Sequence, residues 1–204
     1  MKPRLPPVLG RMRCFVLAML ALLIVLAGAD RAAAQSVKIV TFGDSGPAGN
    51  GVSSSQAYPA VLEATLRAKG IDARVQNISV SGDTTAMGLA RVGSVPPDAQ
   101  VVITEFGSND FFANIPAAVM QSNMEAIIKR LRANGAQVLA LGTRGISYSG
   151  VAGRNGAVAI TYPNTFRKYL QSNGRHLTPE GHQAAVAMML PQVMAMIGKS
   201  KKKG

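Results

Sequence analysis

Short apolar runs alternate with segments of helical periodicity along most of the chain. Residues 37–42 are β-branched and apolar and end at Gly43, which predicts a buried strand entering a loop. Residues 58–68 place apolar side chains at helical spacing, and Lys69-Gly70 ends that segment as a helix cap would. The same alternation predicts further strands at 73–80, 100–106 and 136–141 and further helices at 84–92 and 115–134.

Strands that are apolar throughout and separated by helices predict an α/β fold in three layers, with a parallel sheet covered on both faces. Thr178 followed by Pro179 predicts the start of a last apolar helix, in which Pro191 predicts a kink. Residues 143–162 are rich in Gly and Ser and have little periodicity. They form either a mobile loop over the site or a weakly formed region, and no strand is predicted there.

The first 34 residues carry a different pattern. A basic stretch runs into an uncharged apolar run at 14–29, and residues 32–34 are small, as signal peptidase requires. The apolar run is shorter than the ~20 residues that span a bilayer. We therefore predict a signal peptide at 1–34, cleaved after Ala34, a periplasmic or secreted mature protein, and no transmembrane segment after cleavage. Asp30 and Arg31 interrupt the small residues, so an uncleaved N-terminal anchor is the alternative.

Composition and charge narrow the classes of function. The net charge is +12, and the predicted leader holds five basic residues and one acidic residue, which leaves +8 on a predicted domain at 35–198 and a basic tail at 199–204. The single cysteine, Cys14, lies in the leader, so the mature chain has neither disulfides nor thiolate metal ligands. Basic stretches with interleaved aromatic residues are missing, which argues against nucleic-acid binding. The charge favours attraction to anionic envelope polymers or lipid head groups.

Four polar clusters stand at the ends of predicted strands or just before the last helix. They are Gly43-Asp44-Ser45, Ser81-Gly82-Asp83-Thr84, Gly107-Ser108-Asn109-Asp110 and Asn173-Gly174-Arg175-His176. Because ligands bind at the carboxyl ends of the strands in an open parallel sheet, the clusters are expected to meet at one site. In this order they resemble the blocks of the GDSL/SGNH hydrolase family, in particular its bacterial periplasmic thioesterase, lysophospholipase and arylesterase branch. The resemblance covers nearly the whole mature chain.

The resemblance implies a flavodoxin-like α/β/α sandwich and a serine esterase that needs no metal or cofactor and acts on a small acyl ester, thioester or lysophospholipid. Ser45 matches the family nucleophile and His176 the base. The N–H groups of Ser45 and Gly82 and the side-chain amide of Asn109 match the oxyanion hole. The second histidine, His182, lies outside the blocks and is expected to be structural.

The third triad position departs from the family pattern. The family has Asp three residues before the base, where the carboxylate fixes the imidazole tautomer and stabilises the imidazolium, whereas this chain has Asn173. The amide oxygen can accept a hydrogen bond from the ring, or the NH₂ group can face the ring and favour the unproductive tautomer. Glu180 and Asp110 are nearby carboxylates, but neither has the family's spacing.

We therefore expect a Ser45–His176 dyad of weak or specialised activity, with the imidazole held by Asn173 or by a backbone carbonyl. The alternative is a catalytically silent cell-envelope protein that binds an acyl or acetylated-glycan ligand. A lesser departure is Gly46-Pro47 in place of the Leu that usually follows the nucleophile, which removes an apolar anchor from the Ser45 loop.

Overall fold

The computed structural model describes residues 36–201, which form a five-stranded sheet with helices on both faces. The strands are β1 (Val37–Gly43), β2 (Ala73–Asn77), β3 (Val101–Glu105), β4 (Gln137–Gly142) and β5 (Val158–Thr161). The helices are α1 (Ser45–Ala48), α2 (Tyr58–Ala68), α3 (Thr85–Arg91), α4 (Ser108–Phe112), α5 (Ala117–Ala133), α6 (Ser149–Arg154) and α7 (Pro179–Lys201), with 3-10 turns at Val92–Ser94 and Asn164–Tyr169. The predicted signal peptide at 1–34, its cleavage after Ala34 and the last three residues lie outside the described residues.

The strands run parallel in the order β2-β1-β3-β4-β5. This is the flavodoxin-like order, and it confirms the predicted α/β class. The connection after β1 leads to β2 on one side, and the connection after β3 leads to β4 on the other side. The loops that follow β1 and β3 therefore separate and open a crevice at the carboxyl ends of the two strands, where such folds bind ligands.

Alternate residues of each strand face opposite layers, because successive side chains of a strand point to opposite sides. Val40 and Phe42 of β1 pack into the core beneath α5 and α6, whereas Val37 and Ile39 pack into the core beneath α2 and α7. Both cores are fully buried, which explains why the strands are apolar throughout. The helix residues that close these cores include Met124, Ile127, Ile128 and Leu131 on one face and Leu62, Leu66, Met189 and Val193 on the other.

The structure corrects some of the predicted elements. A fifth strand, Val158–Thr161, and helix α6 lie in the stretch for which no strand was predicted. The last helix continues to Lys201, so the first residues of the predicted tail at 199–204 belong to the helix rather than following it. Pro191 lies inside this helix, and the kink there stays a prediction.

The second strand ends at Asn77 rather than at residue 80. The chain nevertheless follows β1 further, since the N–H groups of Ile78 and Val80 donate to the carbonyl oxygens of Thr41 and Gly43, each at 3.0 Å. Within residues 36–201, none of the helices combines the length and apolar character needed to cross a bilayer.

Candidate active site

Ser45 lies directly after the carboxyl end of β1, beside the point where the strand order reverses. It begins the short helix α1, and the carboxylate of Asp44 caps this helix by accepting the Gly46 N–H at 3.0 Å. Only 9% of Ser45 is exposed, and the residue lines a cavity of about 360 Å³. The Oγ atom lies 3.0 Å from Nε2 of His176, which lines the same cavity. The structure thus brings the two expected catalytic residues into hydrogen-bond contact.

Close packing fixes the turn that carries Ser45. A Cβ atom at Gly43 would overlap the backbone carbonyl oxygen of Glu105 and lie 2.6 Å from Cγ of Pro47. A Cβ atom at Gly46 would lie 2.6 Å from the carboxyl Oε1 of Glu105. Gly46 stands where the family usually has Leu, and the Glu105 carboxyl leaves no room there for a side chain.

His176 lies in the loop between the second 3-10 turn and α7. Leu170 and Leu177 form an antiparallel bridge across this loop, and the Gln171 N–H donates to the carbonyl oxygen of His176 at 2.8 Å. The side-chain amide of Gln171 also donates to the carbonyl oxygen of Asn50 at 2.9 Å. These polar bonds join the loop of the base to the loop that follows the nucleophile.

The Asn173 side chain presents its NH₂ group to the imidazole ring. Its oxygen accepts the backbone N–H groups of Arg175 at 2.8 Å and His176 at 3.2 Å. The nitrogen consequently lies 3.2 Å from Nδ1 of His176. An NH₂ group can only donate, so Nδ1 accepts and the proton of the neutral ring sits on Nε2. In this tautomer Ser45 accepts a hydrogen bond from the ring instead of giving up its own proton.

Neither of the two carboxylates considered as substitutes reaches His176. Asp110 is buried and accepts the backbone N–H and the hydroxyl group of Thr85, at 2.8 and 2.5 Å. Glu180 is exposed in the first turn of α7. Within residues 36–200, the side chains that hydrogen-bond to the His176 ring are Ser45 and Asn173.

Positive charge lies next to the imidazole. Burial lowers the pKa of His176, and the guanidinium groups of Arg175 and Arg144 lower it further. Both guanidinium groups rest against the ring of Phe112, with their central carbons 3.8 Å (Arg175) and 4.6 Å (Arg144) from its centroid. The imidazolium that forms during general-base catalysis is thus opposed by two cations and has no carboxylate hydrogen-bonded to it within residues 36–200.

Two buried carboxyl groups also line the cavity. Burial raises the pKa of Asp44 and of Glu105. The negative charges of Asp110 and Asp83 raise the pKa of Asp44 further, and the negative charge of Asp44 raises the pKa of Glu105 further. The Tyr162 hydroxyl donates to Oε2 of Glu105 at 3.3 Å. These carboxyl groups therefore carry less negative charge near neutral pH than two exposed carboxylates would.

The residues expected to form the oxyanion hole do not all line the cavity. Asn109 lines the cavity, and its amide donates to the carbonyl oxygen of Asp83 at 2.8 Å, so one of its two N–H bonds is left for a ligand. Arg91 pairs with Asp83 and donates to the carbonyl oxygen of Gly43 at 2.9 Å, which ties the second block to the end of β1. Gly82 is exposed, has a φ of 92° and does not line the cavity. Its role in an oxyanion hole stays a prediction.

His182 is buried between α7 and α2. Its Nδ1 atom accepts the backbone N–H of Tyr58 at 3.2 Å, and burial lowers its pKa to about 4. It is a neutral structural residue, as expected. Within residues 36–200, no three His, Cys, Asp or Glu side chains are grouped to hold a metal ion.

Sequence reasoning missed Glu105 and Arg144 as residues of the site. Glu105 had a readable signal, because it is the single charged residue in the apolar run at 101–106. Arg144 had none, since it lies in the Gly- and Ser-rich stretch without periodicity. Its φ of 51° and its contacts across the loop of His176 become visible only in the fold.

Comparison with known proteins identifies similar chains. The family described as GDSL-like lipase/acylhydrolase matches residues 41–174, from β1 to the residue after Asn173. Esterase TesA of Pseudomonas aeruginosa is 40% identical over 115 residues, which are 55% of this chain and 56% of that protein. Thioesterase 1/protease 1/lysophospholipase L1 of Escherichia coli K12 is 33% identical over 116 residues, 56% of this chain and 54% of that protein. The chain spans a little over half the length of these relatives.

Solved structures show the same architecture. A crystal structure of TesA superimposes with a TM-score of 0.71 at 27% identity and covers 78% of this chain and 99% of that one. The matching region includes a five-stranded parallel sheet here, with Ser45 at the end of its first strand. The fold therefore agrees with the family that the blocks in the sequence resemble.

Proposed function

Because the chain belongs to the GDSL-like lipase/acylhydrolase family, we propose that it is an exported serine esterase that uses Ser45 and His176. The observation that carries the proposal is the 3.0 Å contact between Ser45 Oγ and His176 Nε2 in a cavity at the carboxyl edge of the sheet. The proposed substrates are small acyl esters, thioesters or lysophospholipids, in keeping with the names of the similar proteins. The predicted signal peptide supports a periplasmic or secreted location.

In the proposed reaction, a lone pair of Ser45 Oγ forms a bond to the acyl carbon while the Oγ proton passes to Nε2 of His176. The carbonyl π electrons move to the oxygen, which the N–H groups of Ser45 and Gly82 and the Asn109 amide hold. The intermediate then collapses and breaks the bond to the leaving alcohol or thiol, which takes the proton from Nε2. Water repeats the sequence on the acyl-enzyme, releases the acid and returns a proton to Ser45.

The resting hydrogen bonds of Asn173 slow this reaction. Its NH₂ group stabilises the tautomer in which Nε2 already holds a proton, so the productive tautomer must first lose that hydrogen bond. Asn173 also supplies no charge to the imidazolium. In a serine protease with a Ser-His-Asp triad, the corresponding Asp→Asn change lowers kcat by about 10⁴-fold. The proposed esterase is accordingly weak on ordinary esters.

The same orientation of Asn173 favours a second function. A catalytically silent cell-envelope protein that binds an acyl or acetylated-glycan ligand would keep the cavity and would not need the productive tautomer. The basic surface would assist either function by attraction to anionic envelope components.

Labelling with a fluorophosphonate probe separates the two functions. The esterase requires covalent labelling of the full-length protein that disappears in Ser45→Ala and survives in Ser94→Ala, an exposed serine in the Val92–Ser94 turn. Labelling that persists in Ser45→Ala would contradict the assignment of the nucleophile. Absence of labelling in the wild type, with the fold intact by circular dichroism, would support the silent binding protein.

A further inference from the structure

Two arginines in the cavity have no carboxylate partner. Arg144 and Arg175 line the same cavity as Ser45 and His176. The ion pairs found within residues 36–200 join other basic residues to Asp83, Asp98, Glu63 and Glu125. In that part of the chain, neither Arg144 nor Arg175 forms an ion pair. The positive charge of both side chains is therefore open to a ligand.

The two guanidinium groups are held close together. Arg144 donates to the carbonyl oxygen of Gly174 at 2.9 Å, and both groups rest against Phe112. The Nε atom of Arg144 is buried and has no hydrogen-bond partner within the described residues. Burial and the nearby charge of Arg175 lower the pKa of Arg144. The two like charges repel each other, and an anion between them would relieve that repulsion.

The negative charge near these cations is partial: Asp44 raises the pKa of Arg144, but burial and the charge of Arg175 outweigh it and lower that pKa. Asp44 and Glu105 are buried carboxyl groups with raised pKa values, and Asn173 has replaced the family's carboxylate. Guanidinium groups bind carboxylate and phosphate oxygens through paired, charge-assisted hydrogen bonds. An anion at this place would neutralise the charge of both cations.

We propose that Arg144 and Arg175 bind an anionic group, a carboxylate or a phosphate, that the ester substrate itself carries, and that this group supplies the negative charge that Asn173 lacks. The inference rests on the proposed esterase function and deepens it by naming the substrate class. The anionic group forms and breaks no bond. The anionic group stabilises the imidazolium of His176. Because this cation exists in the transition state and not in the resting enzyme, the anionic group raises kcat as well as lowering KM.

Matched esters that differ in one anionic group test the proposal in the full-length protein. The first pair is mono-(4-nitrophenyl) glutarate and its neutral methyl ester, with the charge on the acyl side. The second pair is 1-butyryl-glycerol 3-phosphate and 1-butyryl-glycerol, with the charge on the leaving group. We expect kcat/KM to be roughly tenfold or more higher for the anionic member of at least one pair, the size of a charge-assisted hydrogen bond. The pair that shows the preference identifies the carboxylate or the phosphate as the source.

Variants locate the preference. Arg175→Gln is the primary variant, because this exposed side chain makes no hydrogen bond within the described residues, and it should reduce the anionic-to-neutral ratio severalfold. Arg154→Gln removes the same charge from α6, where Arg154 pairs with Glu125, and should leave the ratio unchanged. Asn173→Asp supplies the carboxylate from the protein, so the kcat part of the preference should shrink. Equal kcat/KM values within both pairs, or a ratio that is the same in Arg175→Gln and wild type, would overturn the proposal.

A binding measurement keeps this test separate from the esterase proposal. In Ser45→Ala, NMR of the His176 ring follows binding of mono-(4-nitrophenyl) glutarate, of 1-butyryl-glycerol 3-phosphate and of their neutral partners without turnover. An anionic ligand should bind more tightly than its neutral partner and raise the pKa of His176, since it offsets the two cations. Absence of turnover in the wild type alongside this result would reject only the esterase. Equal affinities within both pairs would reject the anion site even if the esterase is active.

Discussion

Ser45 and His176 face each other across 3.0 Å, yet the chain holds them by different means. Ser45 is buried in a turn where Gly43 and Gly46 leave no space for a Cβ atom against Glu105. His176 stands in a more exposed loop that hydrogen bonds from Gln171 and Arg144 hold in place. We refer to these as the nucleophile side and the base side of the cavity.

On the base side, the side chain at position 173 can change while the backbone of the loop keeps its conformation. The oxygen of Asn173 accepts the same kind of backbone N–H groups that one oxygen of an Asp could accept, so the loop keeps its shape. The second polar atom is an NH₂ group instead of a carboxylate oxygen, and the charge behind the ring is lost. The nucleophile side offers no comparable freedom, because any larger side chain there meets backbone or the Glu105 carboxyl. A hydrolase site can therefore lose activity on the base side while its fold stays intact.

Asn173→Asp should have the largest effect on activity. One carboxylate oxygen would keep the two backbone N–H bonds, and the other would accept a proton donated by Nδ1, which restores the productive tautomer. We expect kcat for a neutral 4-nitrophenyl ester to rise, by up to ~10⁴-fold on the scale of the reverse change in serine proteases. Steady-state kinetics would measure the change.

A matched variant controls for added charge. Asn164→Asp places the same charge on another residue that lines the cavity and makes no hydrogen bond to His176 within the described residues. It should give a far smaller increase. Similar increases in the two variants would show that the orientation of Asn173 is not what limits the reaction.

Gly43→Ala should have the largest effect on stability. The added methyl group would overlap the carbonyl oxygen of Glu105 and crowd Pro47, so the neighbouring strand β3 or the Ser45 turn must shift. We expect the free energy of unfolding to fall by about 1–3 kcal/mol, the usual cost of overpacking. Urea denaturation would measure the loss, and labelling of Ser45 by a fluorophosphonate should fall with it.

Gly198→Ala is the control for this change. Gly198 is exposed in α7, and among the described residues no atom beyond its neighbours and the adjacent helix backbone lies within 4 Å of the position of an added Cβ. Alanine should raise the free energy of unfolding there by about 0.5–1 kcal/mol, because glycine is unfavourable inside a helix. If both variants changed stability by the same small amount, close packing would not be what holds the nucleophile side.

The central sheet and the convergence of the polar clusters at one edge of it could be predicted, because both follow from patterns in the sequence. The strands of the central sheet are buried on two faces and so read as continuous apolar runs, and Ser45, Asn109 and His176 stand where such runs or a helix begin or end. β5 was missed because it is a four-residue edge strand whose residues are all half-buried. Its apolar run at 157–160 is too short to distinguish a strand from a loop within a stretch rich in Gly and Ser.

The fine chemistry of the base side could not be predicted in the same way. Asn173 was visible in the sequence, but the direction of its amide depends on two backbone N–H groups that only the folded loop places. The approach of Arg144 to Phe112 and Gly174 depends on a left-handed backbone conformation in a stretch without periodicity. Long-range side-chain contacts of this kind leave no local pattern to read.

Arg175→Gln should move the pH dependence of activity by a smaller amount. His176 acts as a base when neutral, and the cation of Arg175 lowers its pKa, which keeps the ring neutral to lower pH. Removing that cation raises the pKa of His176. The acidic limb of the pH profile of kcat/KM, measured with a neutral ester, should therefore move to higher pH. Arg154→Gln should leave the limb in place. A limb that moves to lower pH in Arg175→Gln would contradict the assignment of His176 as the base.

His182→Gln should give the smallest effect, a change in how stability depends on pH. His182 has a pKa of about 4 in the folded protein, against an ordinary value of about 6.5 in the unfolded chain. As the pH falls from about 6.5 to about 4, the unfolded state binds a proton that the folded state does not, so this residue lowers stability across that window. The variant lacks this contribution and should lose less stability between pH 7 and pH 5 than the wild type in urea denaturation.

His176→Gln, on the more solvated base side, should change this pH dependence less than His182→Gln, although it removes the proposed base. Equal changes in the two variants would mean that the surroundings of His182 and His176 do not differ in burial.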